Sequence, residues 1–408
     1  MSFSADLKQV IYALADALDL VGIDDAAHGK RVAIMAAEVA KTLGWSSRAV
    51  EISFDLGLLH DIGVSSTQVH KHLIDEFDWE GSKLHAEVGF QLLNQFQPLA
   101  HLALPVLYHH TRWEQLMALG LEKNLAEQAN LIWLVDRVDA LIVPFFATNQ
   151  LLMQHQTIRA KISQYSDGFF APHLVAAFMQ ASETEAFWLN LEPRGLQQYL
   201  LDQQAKIETF QASFPQLKQL AQIFAHIVDT KSVFTAEHSF GVARVARFLA
   251  EKMGVSADNC DKIEIAGLLH DLGKLGIADP ILEKPGPLSP VERLLMNAHT
   301  FETFQILHRI NGFEEIAQWA AYHHEEPDGS GYPFHIKQEQ MCLEARILRV
   351  ADIFQAMVQN RPYRPGLNAS ELLVFLDDLL RQQRVDAEVV AVLKQSLALL
   401  ISAAKSNS

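Results

Sequence analysis

The sequence predicts an all-α fold of two tandem helical bundles, and three observations carry that prediction. Apolar residues recur at spacings of three and four, the mark of one buried helix face, over Phe3 to Leu20 and again over Gly29 to Leu43. No run shows the strict apolar–polar alternation of a half-buried strand. A set of histidines and aspartates also occurs twice in the same order: His28 to His60 and His238 to His270 both span 32 residues, and His85 to His109 and His299 to His323 both span 24. With 408 residues the chain can give each bundle its own core.

Taken in order, the alanine-rich stretch Val32 to Ala40 suits close helix packing, and Gly44 stops its helix. Val50 to Leu59 is an apolar helical run that delivers His60-Asp61-Ile62-Gly63 at its C-terminal end. His85, His109-His110 and Asp136 lie within or beside further apolar helical segments. Two intervals drift between the halves, 25 residues against 29 after His60 and His270, and 26 against 28 after His110 and His324. Insertions between helices cost little loop entropy, so a diverged duplication should drift in this way. Local words agree: Gly57-Leu58-Leu59-His60-Asp61 matches Gly267-Leu268-Leu269-His270-Asp271, and Tyr108-His109-His110 matches Tyr322-His323-His324.

From Leu151 to Phe214 the pattern is helical without recognisable chemistry, and Pro193, Gly195 and Pro215 mark a junction. The boundary is placed near residue 210, giving domains 1–210 and 211–408. Leu217 to Val228 and Ser239 to Met253 are then amphipathic, and Asp279 to Pro290 is expected to be a proline-rich loop and not a helix. Ser289 caps a helix starting at Pro290, with Glu292 in its first turn, and His299 is expected near that helix's end. Asn368 to Ala404 supplies two more amphipathic helices.

Composition narrows the function. A net charge of −16 argues against general affinity for duplex nucleic acid or anionic membrane, which need a basic surface. The first 210 residues carry −11 and the remainder −5, so the relatively basic half is the one richer in chemistry. Cys260 and Cys342 lack CxxC spacing and point to a reducing cytoplasm. Acidic and basic residues interrupt Met1 to Leu20, which reads as an amphipathic helix and not a signal peptide, and no run has the length of a membrane span.

The chemistry concentrates in His270-Asp271-Leu272-Gly273-Lys274 and in His323-His324-Glu325-Glu326-Pro327-Asp328-Gly329-Ser330-Gly331-Tyr332-Pro333. Adjacent imidazoles, a His-Asp pair and a nearby ammonium are each costly to bury without a partner. One histidine on an apolar face is usually a hydrogen-bonded core residue; five histidines with two aspartates suit metal ions that accept mixed nitrogen and oxygen ligands. Lys274 follows His270 by four residues and, on a continued helical turn, shares its face.

These motifs, with Arg361-Pro362-Tyr363-Arg364, resemble the HD-GYP branch of the HD-domain phosphohydrolases, closely over roughly the last 180 residues and more loosely before them. The resemblance implies two divalent ions, iron or manganese, bridged by Asp271. His238, His270 and Asp352 would hold one ion, and His299, His323 and His324 the other. A bridging hydroxide would attack the phosphodiester between ions about 3.5–4 Å apart. Lys274 would bind phosphate, Gly331, Tyr332 and Pro333 would shape the nucleotide pocket, and Arg361 and Arg364 would take phosphate or guanine. The implied enzyme is a cytoplasmic bacterial signalling phosphodiesterase hydrolysing cyclic di-GMP to pGpG or GMP. 3′,3′-Cyclic GMP-AMP is the rival substrate, and a catalytically silent cyclic dinucleotide receptor the alternative of another class. A homodimer or a signalling partner stays open.

Two departures matter. Phe234 stands where some HD-GYP proteins carry a glutamate for a third ion, and Glu237 would point about 100° away from a helical His238, so two ions are expected. Gln355 replaces the aspartate usual three residues after Asp352. The first half keeps a ligand-type residue at every position, His28, His60, Asp61, His85, His109, His110 and Asp136, and could hold a second metal site. Val64 replaces the lysine, however, and Thr111-Arg112-Trp113 follows His110 without a GYP turn. The first domain is therefore expected to be a degenerate HD bundle with a scaffold or regulatory role.

Overall fold

A computed structural model describes residues 4–22, 27–146, 150–204, 210–232, 237–360 and 365–405. The fold is all-α, as the periodicity predicts, apart from two three-residue strands among the described residues. The helices of the first half are α1 (Leu7–Asp19), α2 (His28–Thr42), α3 (Ser47–Leu59), α4 (Thr67–Asp75), α5 (Ser82–Gln95), α6 (Ala100–Tyr108), α7 (Trp113–Ala118) and α8 (Lys123–Phe146). Four more follow: α9 (Leu151–Ser163), α10 (Pro172–Ala181), α11 (Glu185–Leu189) and α12 (Pro193–Gln204). The second half has α13 (Phe214–Thr230), α14 (His238–Lys252), α15 (Ala257–Leu269), α16 (Asp279–Leu282), α17 (Pro290–Leu307) and α18 (Glu314–Ala321). It ends with α19 (Leu343–Val358), α20 (Ala369–Arg381), α21 (Ala387–Gln395) and α22 (Leu397–Lys405).

Contacts divide the chain into one unit of Leu18–Glu208 and another of Thr209–Ser408 together with Met1–Ala17. A single cut near residue 210 does not describe this, because the start of the chain belongs to the second unit. There β1 (Ser4–Asp6) pairs antiparallel with β2 (Gln211–Ser213), and the Leu7 N–H donates to the Phe210 carbonyl at 2.8 Å. Strands this short carry no alternating pattern to read.

Within each unit the same packing recurs. In the first, α2 lies on α3 and α8, α5 on α6, and α6 on α8; in the second, α14 lies on α15 and α19, α17 on α18, and α18 on α19. The punctuation recurs too. Gly44 (φ 72°) and Gly254 (φ 76°) end α2 and α14 in the left-handed region that glycine enters without strain. Ser46 and Ser256 then cap α3 and α15, accepting N–H groups of Ala49 and Asn259 at 3.3 and 3.2 Å.

Two local expectations need correction. Asp279–Leu282 forms a single helical turn inside the expected loop, since Pro280 occupies the first turn, where a missing N–H costs no helical bond. His299 sits mid-way along α17, which continues to Leu307. Among the described residues no helix is long and apolar enough to cross a membrane.

Candidate metal centre

Each ligand-type residue of the second unit is placed by a local device. His270 is the C-cap of α15, and Asp271 opens the 3-10 turn Leu272–Gly276. That turn rests on α17 at Gly273, where an added Cβ would lie 2.1 Å from the His299 carbonyl oxygen, so only glycine permits the approach. His299 comes from α17, His323 and His324 from the 3-10 turn after α18, His238 from the start of α14, and Asp352 from α19.

These side chains converge. Ligand atoms of His238, His270 and Asp352 lie within 4.8 Å of one another, as do those of His299, His323 and His324, and those of His270, Asp271 and His323. The two sets expected to hold separate ions are thus each brought together, with Asp271 between them. Its Oδ2 lies 3.2 Å from His270 Nε2, whereas its Oδ1 faces His299 Nε2 at 3.4 Å and His323 Nε2 at 3.7 Å. One carboxylate oxygen therefore turns towards each set.

Hydrogen bonding fixes the imidazoles. Nδ1 of His270, His299 and His323 lies 2.8, 2.6 and 2.6 Å from the carbonyl three residues earlier. A carbonyl only accepts, so Nδ1 carries the proton and the Nε2 lone pair is turned inwards. Buried His270 Nε2 and Asp271 Oδ1 have no hydrogen-bond partner among the described residues. Such orphaned donor atoms would be costly unless a cation took them up. The residues fit divalent ions on this ground.

Electrostatics agrees with the geometry at three of the imidazoles, whereas at His270 the Asp271 carboxylate outweighs burial and raises the pKa. Burial lowers His299 to about 4 and His324 to about 3, and keeps His323 well below the usual imidazole range. These three are neutral at physiological pH, the form that ligates metal. Burial alone would raise Asp271, yet His270 and Lys274 hold it well below the usual carboxylate range; His238 does the same for buried Asp352. Lys274 Nζ donates to Asp271 Oδ2 at 2.5 Å. Its turn is 3-10 and not α-helical, which sets the ammonium directly against the central carboxylate.

The glycine-rich loop is anchored by residues the sequence reading missed. Glu325, fully buried, accepts N–H groups of Phe334, His335 and Ile336 at 2.6, 3.2 and 3.2 Å. Glu326 is held by Arg349 and by both forks of Arg384. Tyr332 lies 4.9 Å from the His324 ring, with Pro333 next to it, and Gly331 packs against the Glu325–Glu326 backbone. Arg361, Arg364 and Phe234 lie outside the described residues. Glu237 is exposed in a left-handed conformation at the N-cap of α14.

The first unit assembles the equivalent cluster. Asp61, His85, His109 and His110 bring ligand atoms within 4.8 Å, as do His28, His60 and Asp61, while Asp136 Oδ1 lies 3.5 Å from His28 Nε2. The periphery differs. Val64 is buried in the place of Lys274, and α7 starts at Trp113 where the second unit has its loop. Arg112 pairs with Asp78 at 2.5 Å, and buried Arg137 holds Asp136 Oδ2 at 2.9 Å. In both units an unforeseen aspartate at the end of the preceding helix caps the helix of the first histidine: Asp19 accepts Gly29 N–H at 2.8 Å and Asp229 accepts Ser239 N–H at 3.0 Å.

An HD-domain family model matches residues 26–169, and another matches residues 216–389. The chain is 31% identical over 404 residues to 3′3′-cGAMP-specific phosphodiesterase 1 of Vibrio cholerae, covering 96% of this chain and 92% of that protein. It is 39% identical over 150 residues to a cyclic di-GMP phosphodiesterase of Thermotoga maritima, covering 36% of this chain and 41% of that protein. The fold resembles the crystal structure of the cyclic GMP-AMP phosphodiesterase V-cGAP3 of V. cholerae, with a TM-score of 0.66, 24% identity, and coverage of 97% of this chain and 98% of that one. Both halves carry an HD domain, the relationship to the first of these proteins runs nearly end to end, and the chain belongs to the HD-GYP family of HD-domain phosphodiesterases.

Proposed function

We propose that the second unit hydrolyses a cyclic dinucleotide at a centre of two divalent ions, iron or manganese, with 3′3′-cGAMP as preferred substrate. The observation that carries the chemistry is the orientation of Asp271, one oxygen towards each histidine set. His238, His270 and Asp352 would hold one ion and His299, His323 and His324 the other, with Asp271 shared. Bound there, the ions supply Lewis acidity at the phosphoryl group and an activated water at neutral pH.

This chain's residues do the rest. Lys274 brings an ammonium to the edge of the centre, where it can exchange Asp271 for a phosphoryl oxygen. Tyr332 and Pro333, half-buried beside His324, offer an apolar wall for a nucleobase. Arg361 and Arg364 remain candidates for phosphate or base contacts.

The preference for 3′3′-cGAMP reverses the order expected from the motifs, which put cyclic di-GMP first. Its support is the near end-to-end relationship to an enzyme named for 3′3′-cGAMP, against the 150 residues shared with the cyclic di-GMP enzyme. The test is chromatographic product analysis of the anaerobically purified full chain, loaded with Mn²⁺ or Fe²⁺, on both dinucleotides and beside Asp271→Asn. Faster turnover of 3′3′-cGAMP, lost in Asp271→Asn, is the expected result. Faster turnover of cyclic di-GMP would overturn the substrate assignment, and binding without turnover of either would return the protein to a receptor.

A further inference from the structure

The two leading histidines, His28 and His238, stand in equivalent places but have different support. His28 Nδ1 donates to Asp139 Oδ2 at 2.7 Å, and Arg31 neutralises that carboxylate through two bonds, Nε to Oδ1 at 2.6 Å and a terminal nitrogen to Oδ2 at 2.7 Å. All three side chains are buried. This leaves His28 Nε2 directed at His60 Nε2, 3.2 Å away. His60 Nδ1 is itself tied to the Gly57 carbonyl at 2.8 Å, so the nitrogen His60 presents carries its lone pair. Across the cluster Asp61 Oδ1, without a hydrogen-bond partner among the described residues, faces His85 Nε2 at 3.2 Å.

In the second unit Gly241 occupies the register of Arg31, and Gln355 that of Asp139. The two positions differ as a pair between the units. An added Cβ on Gly241 would lie 2.2 Å from the Gln355 amide carbon, so the glycine makes the space in which Gln355 lies. Gln355 is buried, and both its Oε1 and His238 Nδ1 have no hydrogen-bond partner among the described residues. A carboxylate behind an imidazole fixes its orientation and strengthens it as a donor, and losing such a partner typically costs 10–100-fold in metal affinity. A neutral amide does less.

We propose that the first unit holds a second centre for divalent ions, which binds them more tightly than the hydrolytic centre because Arg31 and Asp139 back its leading histidine where the second unit has Gly241 and Gln355. The comparison rests on the reading of the Asp271 cluster as a metal centre. Val64 works in the same direction, since no lysine competes for Asp61 from that position, whereas Lys274 occupies Asp271. Arg137 works against it by taking Asp136 Oδ2, but Oδ1 still faces His28, so Asp136 remains a one-oxygen donor. The tight centre is a resident site, and the looser one exchanges its ions.

The test loads the full chain anaerobically with Fe²⁺ alone, dialyses it against graded EDTA, and measures retained iron by mass spectrometry, with circular dichroism to check folding. Two release classes are expected. Asp61→Asn removes the tight class, and Asp271→Asn removes the weak class together with hydrolysis. The double variant Arg31→Gly/Asp139→Gln, which installs the other unit's pair, weakens the tight class by about 10–100-fold. Asp139→Asn, which keeps the shape of the side chain, gives the same direction should the double variant not fold. An iron content and release curve unchanged in Asp61→Asn, or a tight class unchanged in both Asp139 variants, overturns the proposal. Two classes and full hydrolysis persisting in Asp271→Asn would overturn the functional reading instead, and with it the comparison between centres.

Discussion

Burial would push the His28 imidazole towards neutrality, but the Asp139 carboxylate, with Asp136 and Asp61 beyond it, raises its pKa from 6.5 to about 10. Asp139, which burial alone would raise, is held at about 2 by Arg31 and His28. The signs of the two linkages are opposite. His28 is raised in the folded state, so its contribution is whole below pH 6.5 and is lost as pH rises through about 10. Asp139 is lowered, so its contribution is present above 3.8 and is lost as pH falls through about 2. In chelator-treated protein the melting temperature should therefore decline between pH 6.5 and 10, and His28→Gln should flatten that decline; an ion taken up at Nε2 must displace this proton, so its retention should rise over the same range. An unchanged slope in the variant would mean that His28 is already neutral in the folded state. None of this pairing was legible in the sequence. The clustering of the histidines and aspartates was, because such residues at repeated intervals are rare enough to stand out. Arg31 and Asp139 are 108 residues apart, and one buried ion pair leaves no periodic trace.

Helices announced themselves through period and caps, whereas the short turns between them did not, and those turns carry part of the site, His238, His299 and Asp352 coming from helices. The 3-10 turn Leu272–Gly276 depends on Gly273, and Gly63 has the same constraint, an added Cβ lying 2.0 Å from the His85 carbonyl oxygen. Gly273→Ala must push the turn off α17, and overpacking of this kind costs about 1–3 kcal/mol. Urea unfolding should read that loss together with weaker metal retention, since His299 and Asp271 lie on the two sides of the contact. The loop after His324 depends on Glu325 in the same way. Glu325→Gln keeps the shape but removes the charge from three bonds to backbone N–H groups, hydrogen bonds to charged groups being worth about 1.5–3 kcal/mol each at most. A loosened wall should raise KM for the dinucleotide while kcat changes less. A fall in kcat alone would place Glu325's effect on the ion ligands and not on the pocket. The sequence reading gave this loop to Gly331, Tyr332 and Pro333, although the carboxylate that fastens its far end sits beside His324, because an acid in a polar turn looks like any solvated acid.

Across the whole chain the duplication was visible as a spacing, and the packing repeats it helix for helix. The crossing of Met1–Ala17 into the second unit was not visible, since the contacts that carry it, two three-residue strands, the Arg309–Asp16 ion pair and the bond from Asn311 N–H to Gln9, leave no pattern in the sequence. The duplication sets seven equivalent ligand-type residues in each unit, so these residues alone cannot decide which unit hydrolyses. The difference lies around them: Lys274 against Val64, and an anchored loop with Tyr332 against α7 with its Arg112–Asp78 pair. Transition-state stabilisation is carried by several such groups acting together, and effects of groups that act as a unit are far from additive. Restoring one of them in the first unit should therefore not restore the reaction. Asp271→Asn should leave less than about a hundredth of the turnover, and Val64→Lys added to it should recover none, even when metal analysis shows the Asp61 cluster loaded. Recovered hydrolysis in that double variant would mean that one ammonium beside a loaded HD cluster suffices, and that the loop has no part in selecting the active half.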